Sequence, residues 1–320
     1  MYISTQIENF IYTLNFRNFQ PVVGSRSNRV QCDANANGAK DQFKTVSKFE
    51  TSLVCTQISH NPQKPQPIRQ WWLALFVSLL FVIIGSAGLS NCCPSISAFQ
   101  WTMQTALILA YMLYFLRRNL GLNIHLQNEK VMPALGAANW ITLFRGGLIA
   151  FLAGFLFQPW PGRSDGCGWT LWIPGVIYTT AAACDIIDGY VARMTANQTR
   201  LGEILDTKMD ALGLLVASLL AISYGQLPIF YISVGAAYYI LRFAVWLRKR
   251  MGKPCSTVKR RSGARLMAAA QMGFVGIVLL PLLSPPAITI AAVFLMTPFL
   301  AGFFLDWQNV CGHEKFDKID

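Results

Sequence analysis

The sequence predicts an all-α, polytopic membrane protein, with a six-helix core preceded by two additional transmembrane helices. Of its 320 residues, 53% are hydrophobic and only 13% are charged, whereas soluble domains carry about 25% charged residues. The apolar residues gather into eight runs, each near the roughly 20 residues that cross a bilayer as a helix. The cations collect in alternate connectors, the positive-inside pattern of membrane proteins.

Each element follows in order along the chain. Residues 1–70 are polar and mixed in charge, and the Pro-rich stretch 61–67 reads as a linker. No basic n-region followed by an apolar h-region opens the sequence, so no cleavable signal peptide is expected. This segment is expected to be cytoplasmic and poorly ordered. Runs 71–89 and 99–117 form the two additional helices, a unit spanning 71–118 that closes on Arg117 and Arg118. A cytoplasmic connector, 119–138, contains His125 in a semi-apolar stretch expected to lie on the surface. Runs 139–157, 171–188, 204–223, 228–247, 266–283 and 287–305 form the core, 139–306, followed by a cytoplasmic tail at 307–320.

The net charge of +12 is distributed as a topology signal and does not imply nucleic acid. The linker 247–265 holds Arg248, Lys249, Arg250, Lys253, Lys259, Arg260, Arg261 and Arg265 without an acid. Connectors 90–98, 158–170, 224–227 and 284–286 hold only Arg163 and Asp165. Both termini and the basic linker are therefore expected in the cytoplasm. Tryptophans near helix ends, Trp101 among them, read as an interfacial belt. Pro174 and Pro281 read as kinks or packing features. The eight cysteines show no zinc spacing. Cys92, Cys93 and Cys167 fall on the outer side, where free thiols are expected ahead of a disulfide.

The chemistry is concentrated in Asp185-Ile-Ile-Asp188-Gly189-Tyr-Val-Ala192-Arg193, then eight residues, then Gly202-Glu-Ile-Leu-Asp206-Thr-Lys-Met-Asp210. An acid at membrane depth costs roughly 2.5–3.5 kcal/mol on insertion scales, so it usually marks a site of function. Spacings of three and four place each aspartate pair on one helix face. The short polar loop predicts that the two helices are antiparallel neighbours, so four carboxylates are expected to converge at the cytoplasmic interface. Carboxylates held together stay ionised only if cations neutralise them, and all-oxygen donors suit hard ions such as Mg²⁺, Ca²⁺ or Mn²⁺. Two divalent ions bridged by aspartates can hold and polarise phosphates. Gly189 and Gly202 leave room beside the acids, and Arg193 offers a planar, bidentate donor to phosphate. The blander alternative pairs these helix-end aspartates with Arg193, Arg200 and Lys208, but it leaves the two glycines without a purpose.

The spaced pattern D-x-x-D-G-x-x-A-R-x8-G-x3-D-x3-D resembles the signature of the CDP-alcohol phosphatidyltransferase family, with every fixed position of 185–210 matched. Asn139-Trp-Ile-Thr142-Leu-Phe-Arg145 resembles the opening of that family's first core helix. The resemblance implies a phosphotransferase of phospholipid biosynthesis, moving a phosphatidyl or other substituted phosphate group from a CDP-linked donor to an alcohol and releasing CMP. CDP-diacylglycerol is the expected donor. The resemblance also implies two Mg²⁺ or Mn²⁺ ions on Asp185, Asp188 and Asp206, with Asp210 as the general base and a further metal contact. Gly189, Ala192, Arg193, Gly202 and Thr142 would line the CDP and phosphate site. A homodimer is a further expectation from the resemblance.

The acceptor is less legible. Arg145, Arg242 and Arg265 are candidate contacts for a phosphorylated acceptor. Lys208 is expected to snorkel to the headgroups, and Arg242 is balanced between the cavity and snorkelling. The stretch Ser262-Gly263-Ala-Arg265 with Gln271 loosely resembles a G-K-x-K-T-x-x-Q segment of phosphatidylglycerophosphate synthases. Arg265 replaces one lysine there, and Met267-Ala268 replaces the K-T pair. A CDP-choline or CDP-ethanolamine phosphotransferase with a lipid alcohol acceptor is the alternative. A UbiA-like prenyltransferase is more distant, because its acids stand as separate Asp-rich motifs on distant helices, whereas here one helix–loop–helix with G-x-x-A-R holds them all. Transport of divalent ions would need acids through the membrane depth, which the core runs lack beyond this cluster and Asp306. The expected location is the inner membrane of a bacterial cell, with the site facing the cytoplasm.

Overall fold

A computed structural model describes residues 67–127, 130–163, 168–195, 198–253, 262–283 and 285–311, with side chains at 262–265 and 285 excepted. Among these residues the chain is all-α and forms no strands, with two isolated bridge pairs in loops. It is a multi-pass membrane protein. Its long helices are α1 Ile68–Cys92, α2 Ala98–Asn119, α3 Ala137–Ala153, α4 Ile173–Met194, α5 Arg200–Ser223, α6 Ile232–Arg250, α7 Ser262–Val278 and α8 Pro285–Cys311. Each contains most of one predicted run. Most of the stretch 1–70, the middle of the basic linker, Cys167 and the end of the tail lie outside the described residues.

Local chemistry sets the helix ends. Ser97 caps α2 by accepting from the Gln100 amide at 3.4 Å, and Arg117 and Arg118 sit in its last turn, where cations complement the helix dipole. Thr199 caps α5 by accepting from the Gly202 amide at 3.1 Å. Arg248, Lys249 and Arg250 close α6. Pro174 lies in the first turn of α4, where its missing N–H interrupts nothing, so it causes no kink. Pro281 falls beyond the end of α7, and the proline inside a helix is Pro298 in α8.

Helices α1, α4, α6 and α8 are long and apolar enough to cross a membrane. Exposed Phe76, Ile83, Ile84, Ile290 and Phe294 give α1 and α8 outward faces that suit lipid. The hairpin of α1 and α2 packs on the core through Trp101. This residue is fully buried, which corrects its assignment to the interfacial belt. Its indole N–H donates to the Phe151 carbonyl at 3.2 Å, and the two rings meet edge to face at 4.7 Å. A Cβ at Gly154 would stand 2.4 Å from the indole, so only glycine admits this contact. Among the described cysteines, Cys92, Cys184 and Cys311 are free thiols.

The arrangement of α3, α4 and α5 matters most for the site. Helix α3 packs closely on both α4 and α5, whereas α4 and α5 scarcely touch each other. The two helices carrying the aspartates, expected to be direct neighbours, are therefore placed by a shared one.

Candidate active site

Asn139, Thr142 and Arg145 recur every third residue on α3, so they occupy one broad face over about 9 Å. All three are buried. Thr142 Oγ1 donates to Asp188 Oδ2 at 2.9 Å. Arg145 Nη1 pairs with Asp185 Oδ1 and lies 2.9 Å from Asp210 Oδ1. Its Nη2 donates to Asp206 Oδ1 at 2.6 Å and lies 4.0 Å from Asp188 Oδ2. The structure thus brings all four predicted aspartates around one guanidinium whose side chain is 3% exposed.

Ligand oxygens of Asp185, Asp206 and Asp210 all lie within 4.8 Å of one another. Four carboxylates against one guanidinium leave a formal charge of −4 + 1 = −3. A residual negative charge of that size calls for further cations. Asp210 Oδ1 is buried and takes no well-directed hydrogen bond, despite its ionic contact with Arg145. An all-oxygen donor set with an under-satisfied buried oxygen fits a hard divalent ion. Among the described residues, Asp185, Asp206 and Asp210 form the one acidic or thiol group compact enough to hold a metal.

The other predicted residues divide by position. Gly189 and Arg193 lie together on the C-terminal part of α4, where a Cβ at 189 would stand 3.4 Å from Arg193 Nη1. Arg193 is exposed and Ala192 half-buried, so this face stays open beside Asp188. At Gly202 the available room is taken by α3, since a Cβ there would stand 2.3 Å from Asn139 Oδ1. Gly202 therefore admits the α3 side chain and not, as its motif implies, the nucleotide. Arg145 was read as an acceptor contact, and its observed partners are the carboxylates. Arg242 lies 5.4 Å from the Tyr238 ring of its own helix. Lys208 turns from the aspartates to the Phe115 ring of α2, at 4.5 Å. The Arg265 side chain lies outside the described residues. Gln271 is a structural tie: it accepts from the Tyr231 hydroxyl and donates to the Leu295 carbonyl at 2.8 Å.

Sequence reasoning missed Thr199. It caps α5, receives Asn139 Nδ2 at 3.2 Å, and stands where α3 meets the loop of the aspartate motif. Threonine just ahead of an apolar run is an N-cap signal, but its partner on α3 has no trace in local sequence.

A model of the CDP-alcohol phosphatidyltransferase family matches residues 135–304, which include all four aspartates and Arg145. The chain is 29% identical over 145 residues to a CDP-diacylglycerol–glycerol-3-phosphate 3-phosphatidyltransferase of Yersinia enterocolitica, covering 43% of this chain and 74% of that protein. A protein of the same name from Yersinia pestis is 30% identical over the same length and the same shares. One from Cereibacter sphaeroides is 27% identical over 113 residues, 35% of this chain and 51% of that protein. No solved structure matches the chain.

Proposed function

Because the chain belongs to the CDP-alcohol phosphatidyltransferase family, we propose that its aspartate cluster transfers the phosphatidyl group of CDP-diacylglycerol to glycerol 3-phosphate. The chain is a membrane phosphotransferase of phospholipid biosynthesis, moving a phosphatidyl group from a CDP-linked donor to an alcohol. The observation that carries the site assignment is the convergence of α4 and α5 carboxylates within 4.8 Å.

The acceptor hydroxyl attacks the phosphorus that bears the diacylglycerol, and CMP leaves. Asp210 takes the hydroxyl proton, a role suited to its under-satisfied oxygen within the cluster. Arg193, on the open face beside Gly189, receives the donor's phosphates bidentately. Arg145 holds the acids of α4 and α5 in one arrangement. Asp185, Asp188 and Asp206, with a contact from Asp210, would hold two Mg²⁺ or Mn²⁺ ions, which supply charge neutralisation to the diphosphate.

Glycerol 3-phosphate is favoured by the names of the relatives, against the altered lysines near Arg265. A cytoplasmic site in a bacterial inner membrane is favoured by the basic last turns of α2 and α6, which alternation puts at the same end as the aspartates. A homodimer, implied by family resemblance, would show in the mass of detergent-solubilised protein.

Membranes containing the protein, given labelled CDP-diacylglycerol and a panel of acceptors, test the reading. Glycerol 3-phosphate should yield labelled phosphatidylglycerophosphate, while inositol, inositol phosphate, serine and phosphatidylglycerol should yield nothing. A labelled lipid from another alcohol would replace the acceptor. Turnover only with CDP-choline or CDP-ethanolamine and diacylglycerol would reverse the donor.

A further inference from the structure

We propose that the connector between α2 and α3 is a positioning strap for the active site, holding residues 198–200 at the start of α5 in place through Thr199. The proposal rests on the carboxylate site assigned above. Because α4 and α5 scarcely touch, their relative depth needs an external reference. Helix α3 provides one for α4, through Thr142 and Arg145 on Asp188 and Asp185. At the start of α5 the structure shows a second one.

The connector binds residues 198–200 along their backbone. The Leu126 amide donates to the Gln198 carbonyl at 2.9 Å, and the Arg200 amide donates to the Ile124 carbonyl at 2.9 Å. His125 and Thr199 form an antiparallel bridge between these two bonds. The connector is itself folded back. Ile124 pairs with Val131, and the Met132 amide donates to the Asn123 carbonyl at 2.8 Å. Asn123 is fully buried, and its amide donates to the carbonyls of Met132 at 3.0 Å and Ala134 at 2.9 Å. One buried asparagine thus shapes the ribbon, and the ribbon holds 198–200.

The consequence for the site is geometric. Thr199 caps α5 and also receives Asn139, so the strap, the α3 face and the first turn of α5 meet at one residue. Asp206 and Asp210 lie two and three turns further along. A slip of one residue moves a helix by about 1.5 Å and turns it by about 100°, and misplacement of about 1 Å can cost 10²-fold in rate. The additional N-terminal hairpin delivers this connector, so it contributes to the chemistry without touching the reacting atoms.

The test uses full-length protein in four single variants, three in the strap and Asp206→Asn in the cluster. Leu126→Pro removes the amide that donates to Gln198, Leu126→Ala keeps it, and Asn123→Ala unties the ribbon. The readouts are Mn²⁺ binding to purified protein followed by electron paramagnetic resonance, KM for CDP-diacylglycerol, and kcat. One backbone hydrogen bond corresponds to roughly three- to tenfold. Leu126→Pro and Asn123→Ala should weaken Mn²⁺ binding and raise KM by about that factor, with Leu126→Ala within about twofold of the parent. A merely structural role would lower the yield of active enzyme and leave Mn²⁺ affinity and KM where they were. That result, or equal effects of Leu126→Ala and Leu126→Pro, overturns the strap. Should Leu126→Pro give no folded protein, Asn123→Ala decides by the same readouts. Asp206→Asn separates the two levels: loss of Mn²⁺ binding there, with the strap variants unchanged, overturns the strap alone. Retained binding in Asp206→Asn overturns the carboxylate site and the strap with it.

Discussion

The face of α3 that meets the aspartates and the face of α3 that meets the N-terminal hairpin are held by different physics. On the first, Asn139, Thr142 and Arg145 reach partners on α4 and α5 through directed polar contacts. On the second, Gly154 and Phe151 receive Trp101 by shape and ring contact, with one indole hydrogen bond. Directed polar contacts set register, because each hydrogen bond needs its own distance and angle. Apolar packing sets proximity only, since lipid tails compete for the same contacts. The site is therefore expected to fail by loss of chemistry and the hairpin by loss of stability.

The largest effect should come from chelation. EDTA should abolish CMP release, and added Mg²⁺ or Mn²⁺ should restore it, because the cluster's formal charge of −4 + 1 = −3 repels a diphosphate. Full activity in chelator would mean that Arg145 alone suffices as counter-charge. Asp210→Asn comes next, with CMP release expected to fall by about 10²–10⁴-fold, the usual worth of a general base. The melting temperature should hold, because Arg145 keeps its contacts with Asp185 and Asp206. Turnover like that of the parent would remove Asp210 from the base role.

These contrasts also explain what could be read in the sequence. The eight helices and the meeting of four acids were legible, because hydrophobic run length and helical spacing are local signals. The extension of α4 to Met194 and the start of α5 at Arg200 were less so, because polar ends of membrane helices look like loops. Trp101 was misplaced, since a tryptophan near a helix end reads the same whether it faces the interface or a glycine on another helix. Arg145 and Gly202 were recognised by their motifs, but their partners were not. Those partners lie on helices about 40 to 60 residues away in sequence, and only the packing of α3 brings them together. Thr199 shows the same limit. Its cap is a local signal, but its bridge to His125 and its bond with Asn139 are tertiary.

The hairpin side of the comparison is broken most gently by two aromatic substitutions. Trp101→Ala leaves a cavity between α1, α2 and α3 and removes the bond to the Phe151 carbonyl. In lipid the transfer term is small, so the cavity term dominates, at about 3 kcal/mol. Activity per folded molecule should be unchanged, because Trp101 stands at the end of α2 opposite the connector and touches no aspartate partner. Phe294 on α8 is 78% exposed, and Phe294→Ala should cost under about 0.5 kcal/mol. Lipid fills the space that the ring leaves, whereas nothing fills the space left by Trp101. Thermal unfolding in one detergent compares the two directly. An equal loss in both would mean that another protein surface, and not lipid, lies against Phe294, and the outward face of α8 would then be an interface.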